Sequence, residues 1–263
     1  MDLQSVVIVC GMAAEVTIIL LLIKGRVIRT FPAFFFYLCW CLFNDLLIYC
    51  VRALYSPETF FKVYLIQLIV DSAMIFAVLV EVAWSVLRPI RSSLPKHSWI
   101  GIAVLFALGG LVFWPIAGLT APNHLSPLGM NLFKLQQTPA ILRAIFFLAL
   151  AAFSQVLSIG WRDRELQIAT GLGFYSIVSL AVTTLHTHQV SGTQQYQLLD
   201  RVASFSYLAA LAYWVYAFAT QPAERREFTP QMQSMLLAVA GAARTTRVAL
   251  TDSASDKGGK RRD

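Results

Sequence analysis

The stretch Ile69–Pro89, "IVDSAMIFAVLVEVAWSVLRP", is apolar nearly throughout, yet it holds Asp71 and Glu81. Its length decides the fold. A hydrocarbon core about 30 Å thick is crossed by roughly 20 apolar residues in a helix. The run Val6–Ile23, "VVIVCGMAAEVTIILLLI", is of the same kind. It does not alternate, which excludes the alternating strands of a membrane β-barrel.

Working outward, seven such blocks lie near residues 5–23, 31–51, 63–87, 98–117, 139–160, 166–186 and 202–220. They predict an all-α polytopic bundle of seven transmembrane helices. Gly109, Gly110 and Pro115 make the fourth the least regular. The loop over 118–138 is rich in turn formers, and Pro139 is expected to open span five as a first-turn proline. Trp99, Trp161 and Trp214 are expected at interfaces. Composition agrees with lipid as the solvent: 57% of the 263 residues are hydrophobic and 13% charged, against about 25% charged in an average soluble domain.

Basic residues set the threading. Lys24, Arg26 and Arg29 follow span one, Arg88, Arg91 and Lys96 follow span three, and Arg162 and Arg164 follow span five. Arg225, Arg226, Arg244, Arg247, Lys257, Lys260, Arg261 and Arg262 follow span seven. Such loops mark the cytoplasmic side, so the N-terminus is expected outside and the C-terminus inside, in the inner (plasma) membrane. The start, "MDLQ", lacks the positive n-region of a cleavable signal. The net charge of +7 then faces anionic lipid. The basic end "KGGKRRD" has no interleaved aromatic residues, so nucleic acid is not an expected partner.

The chain divides into a transmembrane domain, 1–220, and a short basic cytoplasmic tail, 221–263. The tail predicts one amphipathic helix over 229–250, with Thr229 as cap and Pro230 in its first turn. Its stripe of Met232, Met235, Leu236, Val239 and Ala243 would lie on the membrane or dock a protein partner.

Motifs for known chemistry are missing. Span seven has no lysine for a retinal Schiff base. There is no His-Glu-x-x-His, Gly-x-Ser-x-Gly or phosphate-cradling glycine loop. His186 and His188 lack a third ligand, and Cys10, Cys39, Cys41 and Cys50 sit inside spans as small apolar residues. No enzymatic activity, cofactor or metal site is expected. An offset of 130 aligns Asp71 with Arg201 and Trp84 with Trp214, too few matches to set up an internal repeat.

Glu15, Asp45, Asp71, Glu81 and Arg143 lie within spans. A central charge costs roughly 2.5–3.5 kcal/mol on translocon scales, so each needs a reason. Asp71, Asp45 and Arg143 fall at similar depths from the outer side. Arg143 is expected either to serve as their counter-ion or to snorkel to the interface. Asp71, Met74, Val78, Glu81 and Ser85 recur at spacings of three and four, which predicts one interior face of span three. Glu15 and Glu81 have no base at similar depth, and Gln155 and Asn44 are candidate hydrogen-bond partners. These five charged residues are the candidate ligand or ion pocket. The structural alternative is that they join helices by hydrogen bonds.

The segment "VCGMAAEVTIILLLIKGRVIRTFPAFFFYLCWCLFND" (Val9–Asp45) resembles a group of uncharacterised seven-helix bacterial membrane proteins, through Lys24, Arg26, the run Phe34–Tyr37 and Asp45. "VEVAWSVLRP" (Val80–Pro89) resembles the end of their third span. The resemblance implies a fold and no established activity. The functional expectation is a receptor-like or accessory protein with an outward-facing polar pocket for a small ligand or ion. A small transporter using the carboxylates for ion or proton coupling is the alternative.

Overall fold

The computed structural model describes residues 3–54, 57–87, 98–119, 121, 126–154, 163–186 and 194–220. Arg88, Arg91, Lys96, Gln155, Trp161, Arg162, His188 and the tail helix expected at 229–250 lie outside them. Among the described residues the chain forms seven α-helices, one 3₁₀ turn and no strand. The helices are α1 (Leu3–Lys24), α2 (Pro32–Leu54), α3 (Pro57–Val86), α4 (Ser98–Ala117), α5 (Pro127–Phe153), α6 (Arg164–His186) and α7 (Gln194–Ala219). Six are long and apolar enough to cross a membrane; the described apolar part of α2, Pro32–Leu47, is shorter. The protein is a multi-pass membrane protein.

Each helix packs on its neighbours in chain order, and α1 closes the ring against α7. α3 also reaches α5 and α6, so it is the interior helix. α4 is the outermost, touching α3 and α5. A bundle in lipid has no need to hide its apolar exterior, and Leu20, Ile66, Leu105, Leu111 and Tyr216 stand exposed on it. Inside, Ile18, Phe34, Leu38, Val78, Leu79, Leu166 and Leu211 are fully buried.

Small residues let the helices close up. On α6, a Cβ at Gly171 would lie 2.3 Å from the Trp214 ring, and one at Gly173 would lie 2.2 Å from the Phe147 Cβ. Only glycine permits these approaches of α7 and α5. Trp214 is buried, donates its indole N–H to the Gln167 carbonyl at 3.1 Å, and meets the Phe34 ring edge-on at 5.2 Å. It is therefore a packing anchor and not the interfacial tryptophan that its position near a span end predicts. Trp99, by contrast, is exposed.

The structure also corrects the start of span five. α5 begins at Pro127, capped by the Ser126 hydroxyl, which accepts from Gly129 N at 3.1 Å. Pro139 is in the helix interior. The turn-rich composition hid about three extra helical turns, whose Gln136 and Gln137 face a cavity. An interior proline leaves the carbonyl four residues back without its helical donor. That carbonyl is Leu135, and the Ser72 hydroxyl of α3 approaches it at 3.4 Å.

Candidate functional site

The interior face of α3 carries polar groups to three places. At the end where α3 finishes and α2 begins, both Glu81 carboxyl oxygens accept backbone N–H groups, from Ala33 at 2.8 Å and Phe34 at 2.9 Å. These are orphan donors of the first turn of α2, which a helix N-terminus must satisfy from elsewhere. Pro32 opens that turn with no N–H of its own, so one carboxylate completes it. Nearby, Ser85 donates to Glu165 at 2.7 Å. Arg164 donates to the Ala217 carbonyl at 2.6 Å and the Thr220 carbonyl at 2.9 Å, closing the C-terminal end of α7. Charge patterning places Arg164 in a cytoplasmic loop; the structure makes it a helix cap.

Midway along the bundle, Glu15 is wholly buried on α1. The Tyr207 hydroxyl of α7 donates to its Oε1, while Oε2 has no partner. Asn44, a candidate partner, is buried with its own Oδ1 unpartnered. Asp45 lies exposed on α2.

The third place is a cavity of about 230 Å³ enclosed by α2, α3, α5, α6 and α7. Its wall holds Tyr37, Tyr64, Gln67, Asp71, Gln136, Gln137, Arg143, Tyr175, Ser179 and Tyr207. Arg143 is 8% exposed, so it does not snorkel to an interface. Its Nε has no hydrogen-bond partner, and its guanidinium carbon lies 6.0 Å from the Tyr175 ring centroid. Asp71 shares the cavity, but among the described residues no N–O approach of 4.0 Å or less joins it to Arg143. Gln67 Oε1 is also buried without a partner.

Of the five charged residues singled out from sequence, the fold thus brings Asp71 and Arg143 to one cavity. It ties Glu15 to the cavity wall through Tyr207, commits Glu81 to the end of α2, and leaves Asp45 outside. Sequence reasoning missed the tyrosines. Their signal is present in principle, because a buried tyrosine hydroxyl needs a polar neighbour. Tyr175 and Tyr207 at mid-span positions, with Tyr37 in the second turn of α2, mark a polar interior.

A second cavity of about 320 Å³ opens between α3, α4 and α5. It is apolar, walled by Ile75, Phe76, Leu79, Phe106, Gly110, Leu111, Trp114 and Leu142 among others. Ser72, Ile75 and Pro139 belong to both walls.

Elsewhere, His186 stacks on Tyr196 with ring centroids 4.0 Å apart, and its Nε2 lies 3.6 Å from Asp200 Oδ1. No group of three His, Cys, Asp or Glu side chains suited to a metal occurs among the described residues. Compared with known proteins, the chain matches no family model, no curated protein and no solved structure.

Proposed function

We propose that the protein is a receptor-like or accessory membrane protein that binds a small anionic or zwitterionic ligand in the cavity between α2, α3, α5, α6 and α7. The carrying observation is Arg143: a buried guanidinium with an unpartnered Nε, facing a polar space and lacking a direct carboxylate partner. Buried charges are costly unless paired, and the group that would complete Arg143 is one the cavity can admit. Asp71 in the same wall would take the ligand's ammonium or hydroxyl groups. A cavity of about 230 Å³ has room for roughly eight waters at about 30 Å³ each, or for a ligand of that size.

All seven helices cross the membrane in this reading, with the N-terminus outside, the C-terminus cytoplasmic, and a bacterial inner membrane as host. The cavity then reaches from Tyr64, near the outer end of the Phe61–Val86 span, to Arg143, which lies past the middle of α5 once that helix starts at Pro127 and not at Pro139. A C-terminal reporter fusion active only in a cytoplasmic assay supports this threading; activity on the other side reverses it.

The transporter alternative draws on Pro139, a break in the α5 hydrogen-bond ladder beside the cavity. The carboxylates it needs are poorly placed for a relay. Glu81 is engaged with α2, and Glu15 is held by Tyr207. The test is a thermal-stability screen of the purified full-length protein against amino acids, dicarboxylates and small phosphate esters. A ligand at 100 times its Kd stabilises by about 2.7 kcal/mol. The reading expects at least one compound that raises the Tm of the wild type and not of Arg143→Gln. A screen with no such compound overturns it. Coupled flux of a compound into vesicles would favour transport.

A further inference from the structure

Each cavity alone is small for a binding site. Pockets for small molecules usually measure about 300–1,000 Å³; the polar cavity, at about 230 Å³, falls below that range and the apolar one, at about 320 Å³, sits at its floor. Joined, they fall well inside it. Little separates them. Ser72, Ile75 and Pro139 line both, and Ser72 is a small side chain whose hydroxyl is turned to backbone carbonyls, Leu68 O at 2.8 Å and Leu135 O at 3.4 Å.

The two differ in chemistry as the two ends of an amphiphile do. One holds Arg143 and Asp71, opposite charges not in direct contact. The other is lined almost entirely by carbon. Along α3 the polar cavity spans Tyr64 to Ile75 and the apolar one Ser72 to Leu79, while on α5 Arg143 follows directly on Leu142 of the apolar wall, so the two cavities lie side by side at the level of Arg143. From Tyr64 to Leu79 is about 22 Å at 1.5 Å per residue. The apolar cavity also has a way in from the bilayer. Leu111 of the outermost helix is part of its wall and is 71% exposed on the lipid side.

We infer that the two cavities form one site for a single-chain amphiphile with a zwitterionic phosphoethanolamine head. The inference rests on reading the polar cavity as a binding site. The phosphate meets Arg143, whose planar fork suits phosphate oxygens. The ammonium meets Asp71. The alkyl chain passes Ser72 and Pro139 and fills the space beside Gly110 and Phe106. A head carrying both charges fits better than a simple anion, because it neutralises both walls and leaves neither buried charge alone.

The test uses the full-length protein in phosphatidylcholine nanodiscs with three probes: lauroyl lysophosphatidylethanolamine, glycerophosphoethanolamine and monolauroylglycerol. The inference expects saturable binding of the first and at least tenfold weaker binding of the other two. Arg143→Gln and Gly110→Phe should each weaken the first at least tenfold, the former by removing the phosphate partner and the latter by filling the chain cavity. If either variant is not recovered folded, Arg143→Lys and Gly110→Leu replace them, with about threefold losses expected. Equal binding of glycerophosphoethanolamine, untouched by the Gly110 variants, overturns the amphiphile and leaves the small-ligand reading standing. Equal binding of monolauroylglycerol, indifferent to Arg143, overturns it as mere chain partitioning. Binding of none of the three overturns it as well.

Discussion

The end of the bundle where α2 and α6 begin and the cavity between α3 and α5 use the same residue types to opposite effect. At the bundle end, Glu81 meets two N–H groups, Ser85 meets Glu165, and Arg164 meets two carbonyls. Arg164 Nε is left without a partner there, but both its other nitrogens are bonded; in the cavity, Arg143 makes no hydrogen bond among the described residues and Gln67 Oε1 has no partner. The first arrangement is structural glue: Glu81 and Arg164 complete helix ends, and Glu165 accepts the Ser85 hydroxyl across the bundle. The second leaves polar capacity open at a place with room for a ligand. Charged residues in a membrane span therefore do not mark a site by themselves. What marks it is a buried charge that makes no hydrogen bond and faces a cavity.

That contrast predicts where stability resides. Glu81→Ala should have the largest effect. It strips two N–H groups of α2 of their acceptor; losing a cap costs about 0.5–2 kcal/mol and an unsatisfied buried donor about 1–3 kcal/mol. A loss of about 2–4 kcal/mol in reversible unfolding is expected, and a loss below 1 kcal/mol would remove Glu81 from the glue.

Tyr207→Phe comes next. It leaves Glu15 with neither oxygen partnered, at a cost of about 1–3 kcal/mol. Glu15→Met combined with Tyr207→Phe should recover most of that loss, because removing both polar partners abolishes the unmet demand. A double variant as unstable as the single one would show that Glu15 has another role.

The smallest effect belongs to the cavity pair. In a double-mutant cycle of Asp71→Asn and Arg143→Gln, the coupling should be about 0.5–1 kcal/mol, the low end for residues that interact. They share a space without touching. Coupling of about 3–5 kcal/mol, typical of breaking a buried ion pair, would move Arg143 and Asp71 into the glue. Full additivity would mean that they do not sense each other at all.

The membrane character and most helix positions were legible because lipid imposes one simple rule, a long apolar helix per crossing. The start of α5 was not. Residues 127–138 carry proline, glycine, asparagine and glutamines, a loop composition in water, yet Gln136 and Gln137 turn into a cavity that composition cannot reveal. Asp71 and Arg143 were legible as candidates because a charge in hydrocarbon needs a reason. The role of Glu81 was not, since its partner is the backbone at the start of another helix, 47 and 48 residues away, and backbone donors look alike in every sequence. Trp214 misled for a related reason: its packing depends on Gly171 across the bundle, and proximity to a span end says nothing of which face it occupies.

The most direct test of the division between glue and site is the thermal unfolding of Arg143→Met, without added ligand, beside the wild type and Glu81→Ala. Replacing a buried charge that has no hydrogen-bonded or carboxylate partner by an apolar side chain of similar length is neutral or stabilising when the charge serves binding and not the fold. The account predicts that Arg143→Met unfolds at or above the wild-type temperature while Glu81→Ala unfolds well below it. Destabilisation of Arg143→Met to the same extent as Glu81→Ala would contradict it.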